Sequence, residues 1–262
     1  MGATYIGEVY RTEQGIFCVD PVDKFVAKTL IEEGRYGTLQ LEQIKMFCSP
    51  SSSVLLLGAH IGAIAVPLSK MVGEMTVFEA NPRTFELLRA NLKLNDCLNV
   101  EAYNLAANDS NEALKFVLNT VNSGGSKRFP VHQDATYFFD APQIAEVPGV
   151  RLDDHLAGRK YDLIFMDIEG SEVFAMRGMP GLMAQAQVVF SEFIPHHLSR
   201  VGGVGVEQFI ACFEGYQTMI VPSIPRACHG AEIGQVLHEM FAKGQPDDGL
   251  IFIREHIDIM LK

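Results

Sequence analysis

The chain has 262 residues, of which 48% are apolar, so it is long enough for one large α/β domain with a sizeable core. Its formal net charge of −11 and its pI of about 5.2 argue against a non-specific grip on nucleic acid or on an anionic membrane. No apolar stretch approaches the roughly 20 residues that are needed to cross a bilayer, so we expect no membrane span.

The N-terminal residues lack the basic region and the apolar run of a signal peptide. The five cysteines are widely spaced and include no Cys-x-x-Cys pair. Together these features predict a cytoplasmic protein with reduced thiols and with neither a disulfide framework nor a zinc site.

Residues 1–50 are expected to form an N-terminal lead-in to a compact domain over 51–262. Weak alternation around Gly15 predicts a short hairpin, and helical spacing predicts helices over 24–33 and 39–47.

Two apolar runs organise the domain: the first ends in a glycine, and the second ends in a carboxylate. The first run, 54–57, ends at Gly58 and predicts a strand buried on both faces, as in parallel sheets. Gly58 permits a sharp turn, and Gly62 allows the next helix to pack close to the strand. The second run ends roughly 20 residues later at Glu79, where such folds place an acid that accepts hydrogen bonds from a ribose diol. The pattern therefore predicts a βαβ unit that binds a nucleoside cofactor, although a glycine turn alone also occurs in other α/β proteins.

The rest of the chain alternates strands and helices. A helix over 61–71 should be kinked by Pro67, and a polar, irregular stretch is expected over 119–148. A buried strand over 161–166 is followed by three carboxylates within 167–172. The remaining predicted elements are a helix from 82, strands over 100–105, 114–118, 186–193, 216–221 and 249–254, helices over 206–213 and 231–242, and a loop over 222–230. This order predicts an α/β fold with a doubly wound sheet and an antiparallel strand at its edge.

Four motifs together resemble the FkbM-type S-adenosylmethionine-dependent methyltransferases. They are the glycine turn, Phe-Glu-Ala-Asn-Pro from Phe78, Asn-x-Ala-Ala-Asn-Asp from Asn104, and Asp-Ile-Glu-Gly-Ser-Glu from Asp167. The resemblance runs from about Gly15 to Phe193. It implies a class I Rossmann-like fold with seven mostly parallel strands, the last antiparallel, and helices on both faces. It also implies methyl transfer from S-adenosylmethionine, with S-adenosylhomocysteine as product, usually to a hydroxyl oxygen.

Carried over to this sequence, the resemblance implies a cofactor site around the glycine turn, the end of the second strand and the Ala-Asn-Asp stretch. Glu79 would hold the ribose hydroxyls, and Asp167 would lie beside the sulfonium with Glu169 behind it. The implied cofactor-binding residues are Gly58, Ala59, His60, Gly62, Glu79, Ala80, Ala107, Asn108, Asp109 and Asp167.

The sequence departs from the family pattern at three positions. Leu56 stands where the family usually has an acid two residues before the first glycine, His60 replaces a usual Asn, and Met166 replaces a common Lys.

A hydroxyl acceptor must lose a proton as the new bond forms, so a base is required. Carboxylates and imidazoles on the predicted binding edge are the candidates, and Asp167, Glu169 and His196 form the predicted catalytic set, with His197 as a further candidate. Asp167, Glu169, Glu192 and a histidine could instead hold a divalent cation, but this is the less favoured arrangement and the predicted set contains no metal ligand.

Two other functions fit parts of the sequence. A non-catalytic relative that acts as a binding partner is supported by Leu56. A nicotinamide-dependent oxidoreductase is less favoured, because the turn lacks the middle glycine of Gly-x-Gly-x-x-Gly. The favoured acceptor is a hydroxyl on a small molecule, sugar or natural product, without a nucleic acid partner, and no motif specifies the oligomeric state.

Overall fold

The structure is a computed structural model that describes residues 5–255. These residues form fifteen β-strands, which are in chain order β1 (Glu8–Arg11), β2 (Ile16–Val19), β3 (Ser53–Leu57), β4 (Glu74–Phe78), β5 (Val100–Tyr103), β6 (Ala106–Ala107), β7 (Leu114–Leu118), β8 (Lys127–Arg128), β9 (Gln143–Val147), β10 (Gly149–Val150), β11 (Leu163–Met166), β12 (Val188–Phe193), β13 (Thr218–Val221), β14 (Arg226–His229) and β15 (Asp247–Ile253).

Along the chain, most of the α-helices of the same residues follow one strand of the large sheet and precede another. They are α1 (Val26–Glu33), α2 (Thr38–Lys45), α3 (Ala65–Ser69), α4 (Pro82–Leu94), α5 (Leu152–His155), α6 (Glu172–Arg177), α7 (Pro180–Gln185), α8 (Val206–Ala211) and α9 (Ala231–Lys243). A π-helix follows β12 over His197–Gly202. In the part of the chain that the structure describes, no helix combines the length and the apolar character that crossing a membrane requires.

Eight strands form one twisted sheet in the order β14-β13-β15-β12-β11-β3-β4-β5. The five strands from β12 to β5 are parallel, while β15 is antiparallel to both of its neighbours. The chain moves outward from β3 in one direction through β4 and β5, and later resumes on the other side of β3 with β11. The strand order therefore reverses between β3 and β11, and such a crevice is where open α/β sheets bind ligands.

The fold is the Rossmann-like fold that the family resemblance implies, with one strand more. The antiparallel strand that we expected at the edge of the sheet, β15, lies inside it between β12 and β13. We expected seven strands and a loop over 222–230, but β14 lies within that segment and pairs antiparallel with β13. Pro222 and Pro225 flank only the turn, which leaves the backbone groups of Arg226–His229 free to pair.

Two further expectations need correction. The stretch 119–148 is not irregular throughout, because β8 and β9 both pair with β7 in a three-stranded antiparallel sheet. The helix expected over 61–71 is the short α3, which begins at Ala65 and ends at Ser69. Pro67 is its third residue, where the backbone N–H would have no partner inside the helix, so proline causes no break there.

The predicted strands pack two apolar cores, one on each face of the large sheet. Alternate residues of β3 serve the two faces: Leu55 and Leu57 belong to one core, and Val54 and Leu56 belong to the other. Burial on both faces explains why the strand is a continuous apolar run rather than an alternating one.

The N-terminal hairpin of β1 and β2 is fastened to helix α4 by asparagine side chains. The amide of Asn91, which is fully buried, accepts from Cys18 N–H at 2.6 Å and donates to the Cys18 carbonyl at 3.0 Å. It also donates to the Ile61 carbonyl in the glycine turn at 2.8 Å. Asn95 makes the same pair of hydrogen bonds with the backbone of Ile16. One side chain thus joins the hairpin, α4 and the turn after β3.

Candidate active site

A cavity of about 310 Å³ opens at the carboxyl ends of β3, β4 and β11, where the strand order reverses. Its walls come from the glycine turn, the loop after β4, the acidic turn after β11 and the polar loop before β8. Eight residues of the predicted site line it, namely Gly58, Ala59, His60, Glu79, Ala80, Ala107, Asp167 and Glu169.

The glycine turn lies directly against the acidic turn. Gly58 has a φ of +85°, and a Cβ at this position would lie 1.9 Å from the carbonyl oxygen of Asp167. The N–H groups of Gly58 and Ala59 both donate to the Phe78 carbonyl at the end of β4, each at 3.0 Å. Glycine is therefore required at residue 58 both for its backbone conformation and for the close approach of the loops after β3 and β11.

Glu79 follows β4 and fixes the geometry of this corner. Its Oε2 accepts from His60 N–H at 2.7 Å, and its Oε1 accepts from Asn81 N–H at 2.8 Å and from the Thr84 hydroxyl at 3.0 Å. Burial raises the pKa of the Glu79 carboxyl, and the hydrogen bonds from Asn81, His60 and Thr84 oppose that rise. A carboxylate accepts about four hydrogen bonds, so Oε2 retains the capacity to accept one more from a ligand.

His60 joins the glycine turn to two other segments of the chain. Its Nε2 lies 2.6 Å from the Ser123 hydroxyl, and that hydroxyl in turn donates to the buried carboxylate of Asp23. Burial lowers the pKa of His60 to about 4, although Asp23 opposes the shift, so the imidazole is neutral at pH 7. The resulting chain of hydrogen bonds fixes the loop before β8 over the cavity.

The acidic turn after β11 carries three carboxylates with different roles. Glu172 is buried, and its Oε1 accepts from Ile168 N–H at 3.0 Å and from Gly170 N–H at 3.4 Å, so it holds the turn in shape. Glu169 is a non-glycine residue with a φ of +55°, a conformation that is costly and concentrated at functional sites. Its Oε2 lies 3.0 Å from Lys127 Nζ. The turn thus directs Glu169 inward, toward the cation of Lys127.

Asp167 is the carboxylate that faces the open cavity, and its side chain is exposed to water there. The surrounding protein raises the pKa of Asp167 by desolvation, and the neighbouring charges of Glu169 and Glu172 raise it further. Water in the open cavity still solvates this carboxylate and limits the rise, so a ligand that expels the water would increase it.

Two more residues lie behind Glu169, at the ends of β12 and of the π-helix. Glu192 sits at a bulge where the register between β12 and β15 shifts, and a bulge re-aims a side chain. Its pKa is raised well above the usual range by desolvation and by the charges of Asp167 and Glu169. His197 Nδ1 lies 3.1 Å from Glu169 Oε2, and burial lowers the pKa of His197 to about 3. Both groups are buried, with 7% and 8% of their surfaces exposed, respectively.

Four residues of the predicted site lie outside the cavity lining. Gly62 packs against α4, since a Cβ there would lie 2.9 Å from Leu88 Cδ1. Asn108 is buried behind the lining, and Asp109 follows it. His196 is exposed, and its neighbour His197 takes the inward position. No sequence pattern separates the two histidines, because the π-helix that orients them has no periodicity signal.

The structure also brings residues to the cavity that the sequence did not single out. Tyr36 comes from the loop between α1 and α2, and burial raises its pKa to about 12. Asp248 comes from β15, and Ser123 comes from the polar loop. Leu56 lines the cavity as well, and it is 1% exposed where the family usually has an acid. From the sequence, the loop before β8 and the loop between α1 and α2 could be recognised as segments able to cover a site. The sequence did not show that they form walls of this cavity.

A family model described as the methyltransferase FkbM domain matches residues 57–219, which is more than half of the chain. The chain belongs to the FkbM methyltransferase family. The matched range of this FkbM domain starts at the end of β3 and runs through the acidic turn and β12 to β13.

Several solved methyltransferases are similar to this FkbM-family member. The methyltransferase FkbM from Methylobacillus flagellatus KT is 16% identical, with a TM-score of 0.46 over 78% of this chain, which spans only 44% of that protein. A putative O-methyltransferase from Klebsiella pneumoniae is 14% identical, with a TM-score of 0.45, and the match covers 90% of this chain and 91% of that protein. M. jannaschii TYW2, solved with AdoMet, is 14% identical, with a TM-score of 0.47, and the match covers 97% of this chain and 87% of that protein. No curated protein matches the chain.

Proposed function

We propose that this FkbM-family member transfers a methyl group from S-adenosylmethionine to a hydroxyl oxygen of a small-molecule acceptor. The observation that carries the proposal is the contact between the glycine turn and the acidic turn across the point where the strand order reverses. Gly58 and Asp167 approach within van der Waals distance there, and Glu79 fixes the turn through His60 N–H. A nucleoside held by the first turn would present its reactive end to the second.

The chain's own residues fit the cofactor in two respects. Glu79 Oε2 has one remaining acceptor direction for a ribose hydroxyl. Gly58 allows the glycine turn to lie directly against the acidic turn, since a Cβ there would lie 1.9 Å from the Asp167 carbonyl oxygen. The acid that the family usually has at residue 56 is absent, but Asp248 lines the cavity and offers a carboxylate to the cofactor's amino group.

When bound, S-adenosylmethionine supplies an electrophilic methyl group. The protein's contribution is to align the acceptor oxygen and to take its proton, and alignment supplies much of the rate. Asp167 is the favoured base, because it faces the cavity and its pKa is raised toward neutrality by desolvation and by the nearby carboxylates of Glu169 and Glu172. His196 is exposed and outside the lining, so we do not retain it as the base.

The acidic walls favour a neutral or cationic acceptor over a nucleic acid. Asp167, Glu169, Glu192 and Asp248 all line the cavity, and the chain as a whole carries a formal charge of −11. Carboxylates repel the phosphates of a nucleic acid backbone. The cavity volume of about 310 Å³ lies at the small end of the range for ligand sites, which favours a small acceptor.

Calorimetric titration with S-adenosylhomocysteine tests the cofactor assignment. We expect micromolar binding to the wild type and at least about tenfold weaker binding to Glu79→Gln, which loses charged hydrogen bonds to the turn and ribose. Glu74 begins the same strand at the opposite edge of the sheet, where it accepts a hydrogen bond from the Ser53 hydroxyl. Glu74→Gln is therefore the matched control, and its affinity should equal that of the wild type.

Failure to bind either S-adenosylmethionine or S-adenosylhomocysteine at millimolar concentration would remove the proposed function. That result would favour the non-catalytic alternative, for which the buried Leu56 is the supporting observation. Equal loss of affinity in the Glu74 and Glu79 variants would show that the site is elsewhere.

A further inference from the structure

Three side chains of different segments converge behind the acidic turn. Glu169, Glu192 and His197 each direct one ligand atom to a common point, and these atoms all lie within 4.8 Å of one another. His197 Nδ1 is 3.1 Å from Glu169 Oε2 and 4.0 Å from Glu192 Oε2. Ligand atoms around one divalent cation at roughly 2.0–2.2 Å are separated by about 3 to 4 Å, so the observed spacing needs little adjustment.

Two of these atoms lack the hydrogen bonds that buried polar groups almost always have. Glu192 Oε2 has no hydrogen-bond partner among residues 5–255, although Glu192 is 93% buried, being 7% exposed. His197 Nδ1 likewise has no such partner in the described chain, because its approach to Glu169 is close but not oriented for hydrogen bonding. A buried carboxylate oxygen without a partner is costly, and a ligand from outside the protein would satisfy it.

The charge balance points to a cation as that group. Four carboxylates lie together here, since the charges of Asp167, Glu169 and Glu172 all act on Glu192. Lys127 is the ammonium that faces them, and it is 3.0 Å from Glu169. One ammonium does not balance four carboxylates, and Glu172 and Glu192 are buried.

We propose that Glu169, Glu192 and His197 bind a divalent cation. Two carboxylates and one imidazole form a mixed donor set that suits Mn²⁺ or Zn²⁺ better than Mg²⁺, which prefers oxygen ligands alone. Glu169 and Glu192 both line the cavity, so the coordination positions that the protein leaves open face it. On the proposed function, an acceptor hydroxyl would fill such a position, and the cation would make that hydroxyl more acidic.

The test is metal binding itself, measured on the full chain after chelator treatment. Mn²⁺ is titrated in, and the free ion is followed by its electron paramagnetic resonance signal. We expect one Mn²⁺ per chain, an affinity at least about tenfold weaker in Glu192→Gln, and a tighter one in Lys127→Gln, which removes a competing ammonium. The opposite signs of the two effects distinguish coordination from a general loss of structure.

The surface offers a matched control for the carboxylate–histidine pair. Glu207 lies 2.8 Å from His238 Nε2, and both side chains are exposed. Glu207→Gln should bind Mn²⁺ as the wild type does. If Glu192→Gln does not fold, as judged by circular dichroism and melting, Glu169→Gln replaces it in the comparison.

The outcomes separate this proposal from the methyl-transfer proposal. Absence of Mn²⁺ and Zn²⁺ binding at millimolar metal, or equal affinity in wild type and Glu192→Gln, overturns the cation site even if S-adenosylhomocysteine binds. Stoichiometric metal binding that depends on Glu192 supports the site even if S-adenosylhomocysteine does not bind.

Discussion

Alanine substitutions at Gly58 and Gly158, compared with each other, separate the energetic cost of a left-handed backbone from the cost of a steric clash. Gly58 has a φ of +85°, and its added Cβ would lie 1.9 Å from the Asp167 carbonyl oxygen. Gly158 has nearly the same φ, +81°, but a Cβ there meets no heavy atom of residues 5–255 within 4 Å. The two variants therefore share the strain of a left-handed alanine, and only one of them forces two backbones apart.

The expected magnitudes follow from these contacts. A left-handed conformation costs an L-residue about 1–2 kcal/mol, which is the whole expected effect of Gly158→Ala. Gly58→Ala adds an overpacking cost of about 1–3 kcal/mol, because the opposing atom is a main-chain oxygen that no rotamer change can move. With about 2–4 °C of melting temperature per kcal/mol in a domain of this size, we expect a loss of about 5 °C for Gly158→Ala and about 10 °C for Gly58→Ala.

Thermal melting followed by circular dichroism measures both losses, and calorimetry with S-adenosylhomocysteine measures the ligand site. Gly58→Ala should bind the ligand at least about tenfold more weakly, because the turn must move by more than an ångström to admit the Cβ. Gly158→Ala should bind as the wild type does. Equal melting temperatures for the two variants, or unchanged ligand affinity in Gly58→Ala, would refute the close approach of the two turns.

Three further predictions concern other parts of the site. Burial lowers the pKa of His60 from 6.5 to about 4, so between these values the unfolded chain binds a proton that the folded chain does not. As pH falls through this window, the wild type should lose up to about 3 kcal/mol of unfolding free energy relative to His60→Gln in urea titrations; parallel pH profiles would contradict the assignment. Asp167→Asn should lower methyl transfer by at least about 100-fold while changing S-adenosylhomocysteine affinity little, and loss of both together would make Asp167 a binding residue. Asn91→Ala removes buried hydrogen bonds to Cys18 and Ile61, and it should cost about 3 kcal/mol and expose the Cys18 thiol to alkylation, which mass spectrometry detects.

The parts of the fold that the sequence predicted are those set by local patterns. The apolar run of β3, the glycine after it and the acid that ends the next strand lie within about 25 residues, and each signal is carried by residue type alone. Leu55 and Leu57 on one face and Val54 and Leu56 on the other confirm the prediction of a strand buried on both sides. The carboxylates after β11 were predictable for the same reason, because they directly follow a buried strand.

The parts that the sequence did not predict depend on distant contacts. Strand β14 exists because β13 offers an edge to pair with, and its own residues carry no strong strand pattern. Tyr36 and Ser123 reach the cavity through contacts with segments far away in the chain. The inward position of His197, rather than His196, is set by a π-helix, and the direction of Glu192 is set by a bulge. Neither irregularity has a reliable sequence signature.

The position of β15 in the sheet bears on how the protein is made. This strand is the last of the described strands in the sequence, yet it lies between β12 and β13 in the sheet. It also contributes Asp248 to the cavity, so the residues that line the cavity extend along the chain from Phe25 to Asp248. A nascent chain leaving the ribosome can therefore form β3, β4 and β11 early, but it exposes an unpaired edge of β12 until β15 is synthesised. The large sheet should therefore be complete only when β15 has inserted, and ligand binding would then report that completion.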